Sequence, residues 1–293
     1  MISTKVVFLK MITVVLFNTV CYNITGENMK ILEYFTEGKI DNNQNEDGLF
    51  LSDNIIAVID GVTTKTSNLY DGFKSGKIAK DILITALEEI DAKMNLEETF
   101  KYLNNALKNY YEQYGKDGEF FSAQIILYND YYKEIWNFGD CNCMINNVFY
   151  NHDKLYDEIT SNARILYNEA LLKQGYTIND LLNNDLGAEY IKPLLQAQYL
   201  FDNDSDSVFG YPILNGNNIS LDKIITYKLN DGVEVVLASD GYPIIENTLE
   251  KSELYLKKVL EEDPLCMNLY KSMKGLKPGN ISYDDRAYVR FII

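Results

Sequence analysis

The sequence predicts an α+β fold in which two antiparallel β-sheets pack as a sandwich flanked by helices, an α-β-β-α arrangement. Apolar β-type runs come in pairs joined by turn residues, the mark of hairpins and hence of antiparallel pairing. Segments with helical apolar spacing fall between those pairs instead of alternating one for one with strands. The chain has 293 residues, 46% hydrophobic and 13% aromatic, enough to bury a sizeable core. That excludes a disordered tail, a collagen-like repeat and a small stapled scaffold.

The elements follow in order. Lys5 and Lys10 precede the apolar run Met11 to Phe17, which has the look of a signal-peptide core but is too short to span a bilayer. No small-x-small cleavage site stands near Val20-Cys21-Tyr22. Residues 1–28 therefore read as an N-terminal extension, with an export signal as the alternative. Met29 opens a strand, MKILEYF, and no repeat or linker divides residues 30–293, which read as one domain. Three hairpins are expected: GLFL (48–51) with NIIAVID (54–60), SAQIILY (122–128) with YKEIWNFGD (132–140), and IITYKL (224–229) with VEVVLASD (233–240) across Asn230-Asp231-Gly232. AYVRFII (287–293) closes the set.

Between the first two hairpins, Ile78, Ile82, Leu83, Ala86, Leu87 and Ile90 recur at helical spacing, as do Leu96, Phe100, Leu103, Leu107 and Tyr110. Asn95 with Glu98 makes a capping box for the second helix. Residues 154–200 read as irregular helix interrupted by Gly175 and Pro193. Two more helices are expected, Asn247 to about Glu262 and Asp263-Pro264 to Gly275, whose Pro suits a first helical position.

Composition narrows the chemistry. There are 27 basic against 43 acidic side chains, a net charge of −16, and no basic cluster, so nucleic acid is not an expected partner. Cys141 and Cys143 form a C-x-C without a second pair and read as buried thiols of a reducing, cytoplasmic compartment. The single histidine, His152, removes His-based metal cages and most Ser-His or Cys-His mechanisms.

The informative feature is where certain acids fall. One apolar strand ends in Asp60-Gly61, another in Gly139-Asp140, a third in Asp240-Gly241. Asp284-Asp285 stands directly before the last strand, and Glu46-Asp47 before the first hairpin. A carboxylate at the end of a buried run is costly unless paired or bound to a metal. Hard divalent cations with oxygen ligands answer that cost. The glycines allow close backbone approach and can offer a carbonyl. Asp-Gly after a strand is also an ordinary turn, and each site taken singly fits that structural reading. A calcium loop around Asp202-Asn203-Asp204 and Asp206 lacks the central Gly and terminal Glu, and reads as loop.

The order and wording of these motifs resemble a known family. Asn45-Glu46-Asp47, AVIDG (57–61), FGD (138–140), LASDG (237–241) and YDD (283–285) are similar to the successive motifs of the metal-dependent protein phosphatase 2C (PPM) family, over essentially all of residues 30–293. Asp71 to Ala79 resembles that family's glycine entry to its first helix. The resemblance implies a helix-flanked β-sandwich and a two-ion Mg²⁺ or Mn²⁺ centre whose activated water hydrolyses phosphoserine and phosphothreonine in proteins. No stable membrane anchor is expected.

Carried over residue by residue, it implies that Asp60 bridges the ions and that Gly61 ligates through its carbonyl. Asp240 and Asp284 hold one ion. Glu46 or Asp47 acts on the other side through water, and Asp140 matches an acid for a weaker third ion. Asp60, Asp240 and Asp284 are the expected catalytic centre. Asp285 sits where the family often has Asn.

Two departures stand out. The family's phosphate-gripping Arg before the Glu-Asp pair is absent from Asp41-Asn42-Asn43-Gln44-Asn45, leaving Lys39 and Lys65 as candidate substitutes. Val62 replaces a His proposed in the family as general acid. They keep open a second expectation, a catalytically weak relative that binds metal or a phosphorylated partner.

Overall fold

Period-2 burial along the strands decides the layers. The computed structural model describes residues 25–26, 29–62, 68–116 and 120–293; the readings made on residues 1–24 and 27–28 and on Lys65 lie outside them. The chain runs through β1 (Thr25–Gly26), β2 (Met29–Glu37), β3 (Asp47–Leu51) and β4 (Ile55–Val62) into helices α1 (Ser75–Glu88) and α2 (Leu96–Tyr114). Strands β5 (Ser122–Asn129), β6 (Glu134–Phe138), β7 (Asn142–Ile145) and β8 (Val148–Tyr150) follow, then α3 (Leu155–Lys173), α4 (Ile178–Asn183) and α5 (Leu186–Ala197). Last come β9 (Ile225–Lys228), β10 (Glu234–Ala238), α6 (Leu249–Glu262) and β11 (Arg286–Ile292).

These strands form two antiparallel sheets, ordered β1-β2-β11-β10-β7-β8 and β3-β4-β5-β6-β9. In β4, Ile56 and Val58 face the other sheet and pack with Ile126, Val235, Leu237 and Val289. Ile55, Ala57 and Ile59 point the opposite way, against Leu83 and Leu87 of α1 and Phe100 and Leu103 of α2. A strand buried on both faces sits at a sheet centre with helices outside. On the far side, Val236, Ala238 and Tyr288 meet Leu249 at the start of α6. The four layers are those expected.

The local chemistry is as read at several points. Asn95 accepts the Glu98 N–H at 3.0 Å while Glu98 accepts the Asn95 N–H at 2.9 Å, completing the capping box. Gly175, at φ +101°, closes α3: its N–H bonds the Leu172 carbonyl and the Tyr176 N–H that of Leu171, a left-handed cap that favours glycine. Cys141 and Cys143 are buried free thiols in one core. Asp202 to Asp206 form a loop. Among the described residues no helix is long and apolar enough to cross a membrane.

Three expectations are corrected. The third hairpin does not form: β9 pairs with β6 at the edge of one sheet, while β10 lies inside the other. The reason is occupancy. Both ladders of β10 are filled, by β11 and β7, so β9 has no free side to pair with. Asn230-Asp231-Gly232 instead carries the chain from one sheet to the other, the Gly232 N–H donating to the Ile293 carbonyl.

Residues 263–275 are turns, not a helix. The Asp263 carboxylate accepts N–H groups of Met267, Asn268 and Leu269 at 2.7–3.1 Å, competing with a helical ladder. Cys266 is left-handed, at φ +52°, and Pro264 takes the second place of the turn closed by Cys266 N–H to the Asp263 carbonyl at 2.8 Å. Pro193, finally, lies inside α5 and does not interrupt it.

Candidate metal centre

Antiparallel pairing brings the acidic strand ends to one end of the sandwich. Asp47 at the start of β3 is the direct register partner of Asp60 near the end of β4, and Asp60 also faces Gln124 of β5. Gln124 accepts the Asp140 N–H at 2.6 Å, which holds the residue after β6 against the same strand. In the other sheet β10 and β11 pair, so the residues just after β10 and just before β11 meet. Asp240 and Asp284 therefore arrive together, with the Tyr283 hydroxyl bonded to the Gly241 carbonyl at 2.9 Å.

Two glycines let the backbone close in behind the acids. A Cβ on Gly76, in the first turn of α1, would lie 2.6 Å from the Gly61 carbonyl oxygen and 2.8 Å from Glu46 Oε1. The Gly61 N–H donates to the Glu46 carbonyl at 3.0 Å. Glu46, Asp47, Asp60, Gly61, Asp140, Asp240 and Asp284 thus lie at one end of the sandwich.

Their electrostatics are those of a crowded, half-neutralised cluster. Burial, then Asp47, Asp240, Asp140 and Asp284, push the Asp60 carboxyl well above the usual carboxylate range. Burial with Asp285 and Asp284 does the same to Asp47, and burial raises Glu46 against the pull of Lys39. Asp240 is pushed up to about 7 by burial, then by Asp284 and Asp140. Asp284 goes the other way: burial opposes its ionisation, but the Lys274 and Lys39 ammonium groups outweigh it and hold it well below the usual range.

Among the described residues, three buried carboxylate oxygens have no hydrogen-bond partner: Glu46 Oε1, Asp47 Oδ2 and Asp140 Oδ1. An unpaired buried acceptor is expensive, and three at one site call for a cation. An all-oxygen donor set with a carbonyl nearby fits a hard divalent ion such as Mg²⁺ or Mn²⁺. The side chains do not yet converge, since no three His, Cys, Asp or Glu among the described residues are grouped to hold one ion as they stand.

Lysines supply the positive charge instead. Lys39 Nζ lies 3.2 Å from Glu46, 3.1 Å from Asp284 and 2.9 Å from Asp285. Lys274 pairs with the second oxygen of Asp284. Lys154 Nζ lies 2.7 Å from Asp140 Oδ2 and 3.2 Å from Asp157, over the Tyr211 ring. Sequence reading named Lys39 but missed Lys274 and Lys154, because nothing in their neighbourhoods marks them. Asp285 spends its oxygens on the Lys39 N–H at 2.7 Å, Lys39 Nζ and the Glu46 N–H at 3.3 Å, the pattern of an organiser of the loop.

Beside the acids opens a cleft of about 250 Å³. Asp140, Asp240 and Asp284 line it together with Tyr270, Tyr283 and Lys274, and so do Asp157, Glu158 and Ser161 of α3. Lys154 and the first two turns of α3 thus reach the centre.

The fold is similar to that of solved serine/threonine phosphatases. The phosphatase PstP/Ppp of Mycobacterium tuberculosis is 13% identical, with 91% of this chain and 99% of that one covered at a TM-score of 0.48. The PPM phosphatase MsPP of Mycobacterium smegmatis is 12% identical over 90% of this chain and 99% of its own, at 0.47. Stp1 of Staphylococcus aureus is 14% identical over 89% and 94%, at 0.45. PPM is also the family that the sequence motifs resemble. No family model and no curated protein sequence matches the chain.

Proposed function

We propose that this chain is a Mg²⁺- or Mn²⁺-dependent phosphatase acting on phosphoserine and phosphothreonine in proteins, in the cytoplasm. The observation that carries this reading is the trio of unpartnered buried carboxylate oxygens on Glu46, Asp47 and Asp140, beside Asp60, Asp240 and Asp284. Bound divalent ions would supply Lewis acidity, lowering the pKa of a shared water and offsetting charge on the phosphate. In this reading Asp60, Asp240 and Asp284 would hold the two ions together with Glu46 and Asp47, the assignment that the motif resemblance implies. Asp140 would assist a third. The work of the chain's own residues is then to hold the ions and orient the ester.

The test is hydrolysis of para-nitrophenyl phosphate with Mn²⁺, repeated after EDTA. Turnover that survives exhaustive chelation removes the metal reading. One specific observation favours a second reading: Lys39, Lys154 and Lys274 already pair with Glu46, Asp140 and Asp284. In that case the chain binds metal or a phosphorylated partner with little turnover. A folded protein that binds Mn²⁺ yet hydrolyses nothing with any divalent ion would decide for it.

A further inference from the structure

Asp284 is paired through both oxygens, Oδ1 with Lys39 and Oδ2 with Lys274. The two lysines are not equivalent. Lys39 also holds Glu46 and Asp285, so it stays anchored if Asp284 is withdrawn. Lys274 makes no carboxylate ion pair except with Asp284 among the described residues. Its side chain is 40% exposed against 22% for Lys39, and it lines the cleft beside Asp240 and Tyr283.

An ion that took Asp284 would leave the Lys274 ammonium unpaired, facing the positive Lys39. A charge stranded at a half-buried wall is costly, and a dianion in the cleft removes that cost. Lys39 is too committed to carboxylates to serve as the grip that the arginine-free stretch 41–45 lacks. Resting on the phosphatase reading above, we propose that Lys274 exchanges partners. It neutralises Asp284 in the metal-free protein, and grips the phosphate dianion of the substrate once divalent ions occupy Asp284.

The experiment compares the full wild-type chain with Lys274→Met and Lys274→Arg. Calorimetry measures Mn²⁺ affinity without phosphate, then the affinity of the Mn²⁺-loaded protein for inorganic phosphate. Steady-state hydrolysis of para-nitrophenyl phosphate completes the set. Lys274→Met is expected to bind Mn²⁺ more tightly, because a competing cation has gone. Its phosphate affinity should drop about tenfold, the loss of one charge-assisted hydrogen bond. KM should rise in step while kcat changes less, and Lys274→Arg should restore phosphate binding.

If the wild type hydrolyses the ester but either affinity of Lys274→Met equals the wild-type value, the exchange is overturned and the phosphatase reading stands. A wild type that binds Mn²⁺ but neither hydrolyses the ester nor binds phosphate sinks both. Should Lys274→Met fail to fold by circular dichroism, Lys274→Gln, which keeps a neutral donor, is judged by the same two affinities.

Discussion

Replacing Asp60 or Asp240 by Asn exchanges a charged oxygen donor for a neutral one while preserving shape. The reading of these residues as ligands predicts a fall in kcat by orders of magnitude at saturating Mn²⁺. The metal-free protein should melt at the same temperature or higher, since one charge leaves a cluster whose members raise one another's pKa. Asp285→Asn should behave in the opposite way. Its carboxylate accepts from Lys39 and from the Glu46 backbone, so the amide loses acceptors and costs about 1–3 kcal/mol of stability. Its kcat should stay within a few-fold of wild type. Melting curves without metal, beside kcat against Mn²⁺, separate the two groups. A normal kcat in Asp60→Asn with an inactive Asp285→Asn would overturn the assignment. The acids were legible because a carboxylate closing an apolar strand is conspicuous. Lys154 and Lys274 were not, because a lysine's long stem reaches a site that its sequence neighbours do not announce.

Helix α1 meets the centre through its first turn, and glycine sets how near it comes. Gly76→Ala would raise helix propensity, a gain of at most about 1 kcal/mol. The new methyl would sit 2.6 Å from the Gly61 oxygen and 2.8 Å from Glu46 Oε1, which forces α1 off the acids. Net destabilisation of about 1–3 kcal/mol is expected, together with weaker Mn²⁺ binding, measured by urea denaturation and calorimetry. An Ala variant as stable and as avid as wild type would mean that α1 need not touch the centre. Elements whose signal is local were readable in this way: the capping box at Asn95 and the hairpins β3–β4 and β5–β6. The crossover from β9 to β10 was not, because Asn230-Asp231-Gly232 specifies a turn and not the sheet that receives the next strand. Residues 263–275 misled for a related reason. Asp263-Pro264 suits a helix start, yet the same carboxylate turned to capture a loop.

Across the whole molecule the cluster sets how stability depends on pH. Glu46, Asp47, Asp60 and Asp240 hold their protons more tightly folded than unfolded. The unfolded chain releases those protons near pH 4, the folded chain only higher, for Asp240 at about 7. Their contribution is full below pH 4 and is lost as pH rises through the folded values. Asp284 has the opposite sign, but its loss occurs as pH falls below 4, and His152, lowered by burial, opposes the four acids only below its ordinary value of 6.5. The metal-free protein, at net charge −16, is therefore expected to melt at a lower temperature at pH 7.5 than at pH 5.5. Asp240→Asn should flatten that slope, and Mn²⁺ at pH 7.5 should reverse it by binding the folded state alone. A metal-free melting temperature that climbs steadily across this interval would contradict the raised pKa values.

The contact between the Lys39 N–H and Asp285 spans 246 residues of chain, and it joins two loops on which the centre depends. During synthesis the five strands of one sheet, β3 to β6 and β9, leave the ribosome before β11 does. That sheet can pair early, but Asp284 and Asp285 reach Lys39 and Asp240 only when the final strand docks between β2 and β10. Domains form from the N-terminus as they emerge, and long-range pairings close last. A nascent chain can thus hold Asp47, Asp60 and Asp140 in one sheet while Asp284 has still to join them. The two halves of the cluster would therefore meet late in folding, and a misassembled sheet would keep them apart.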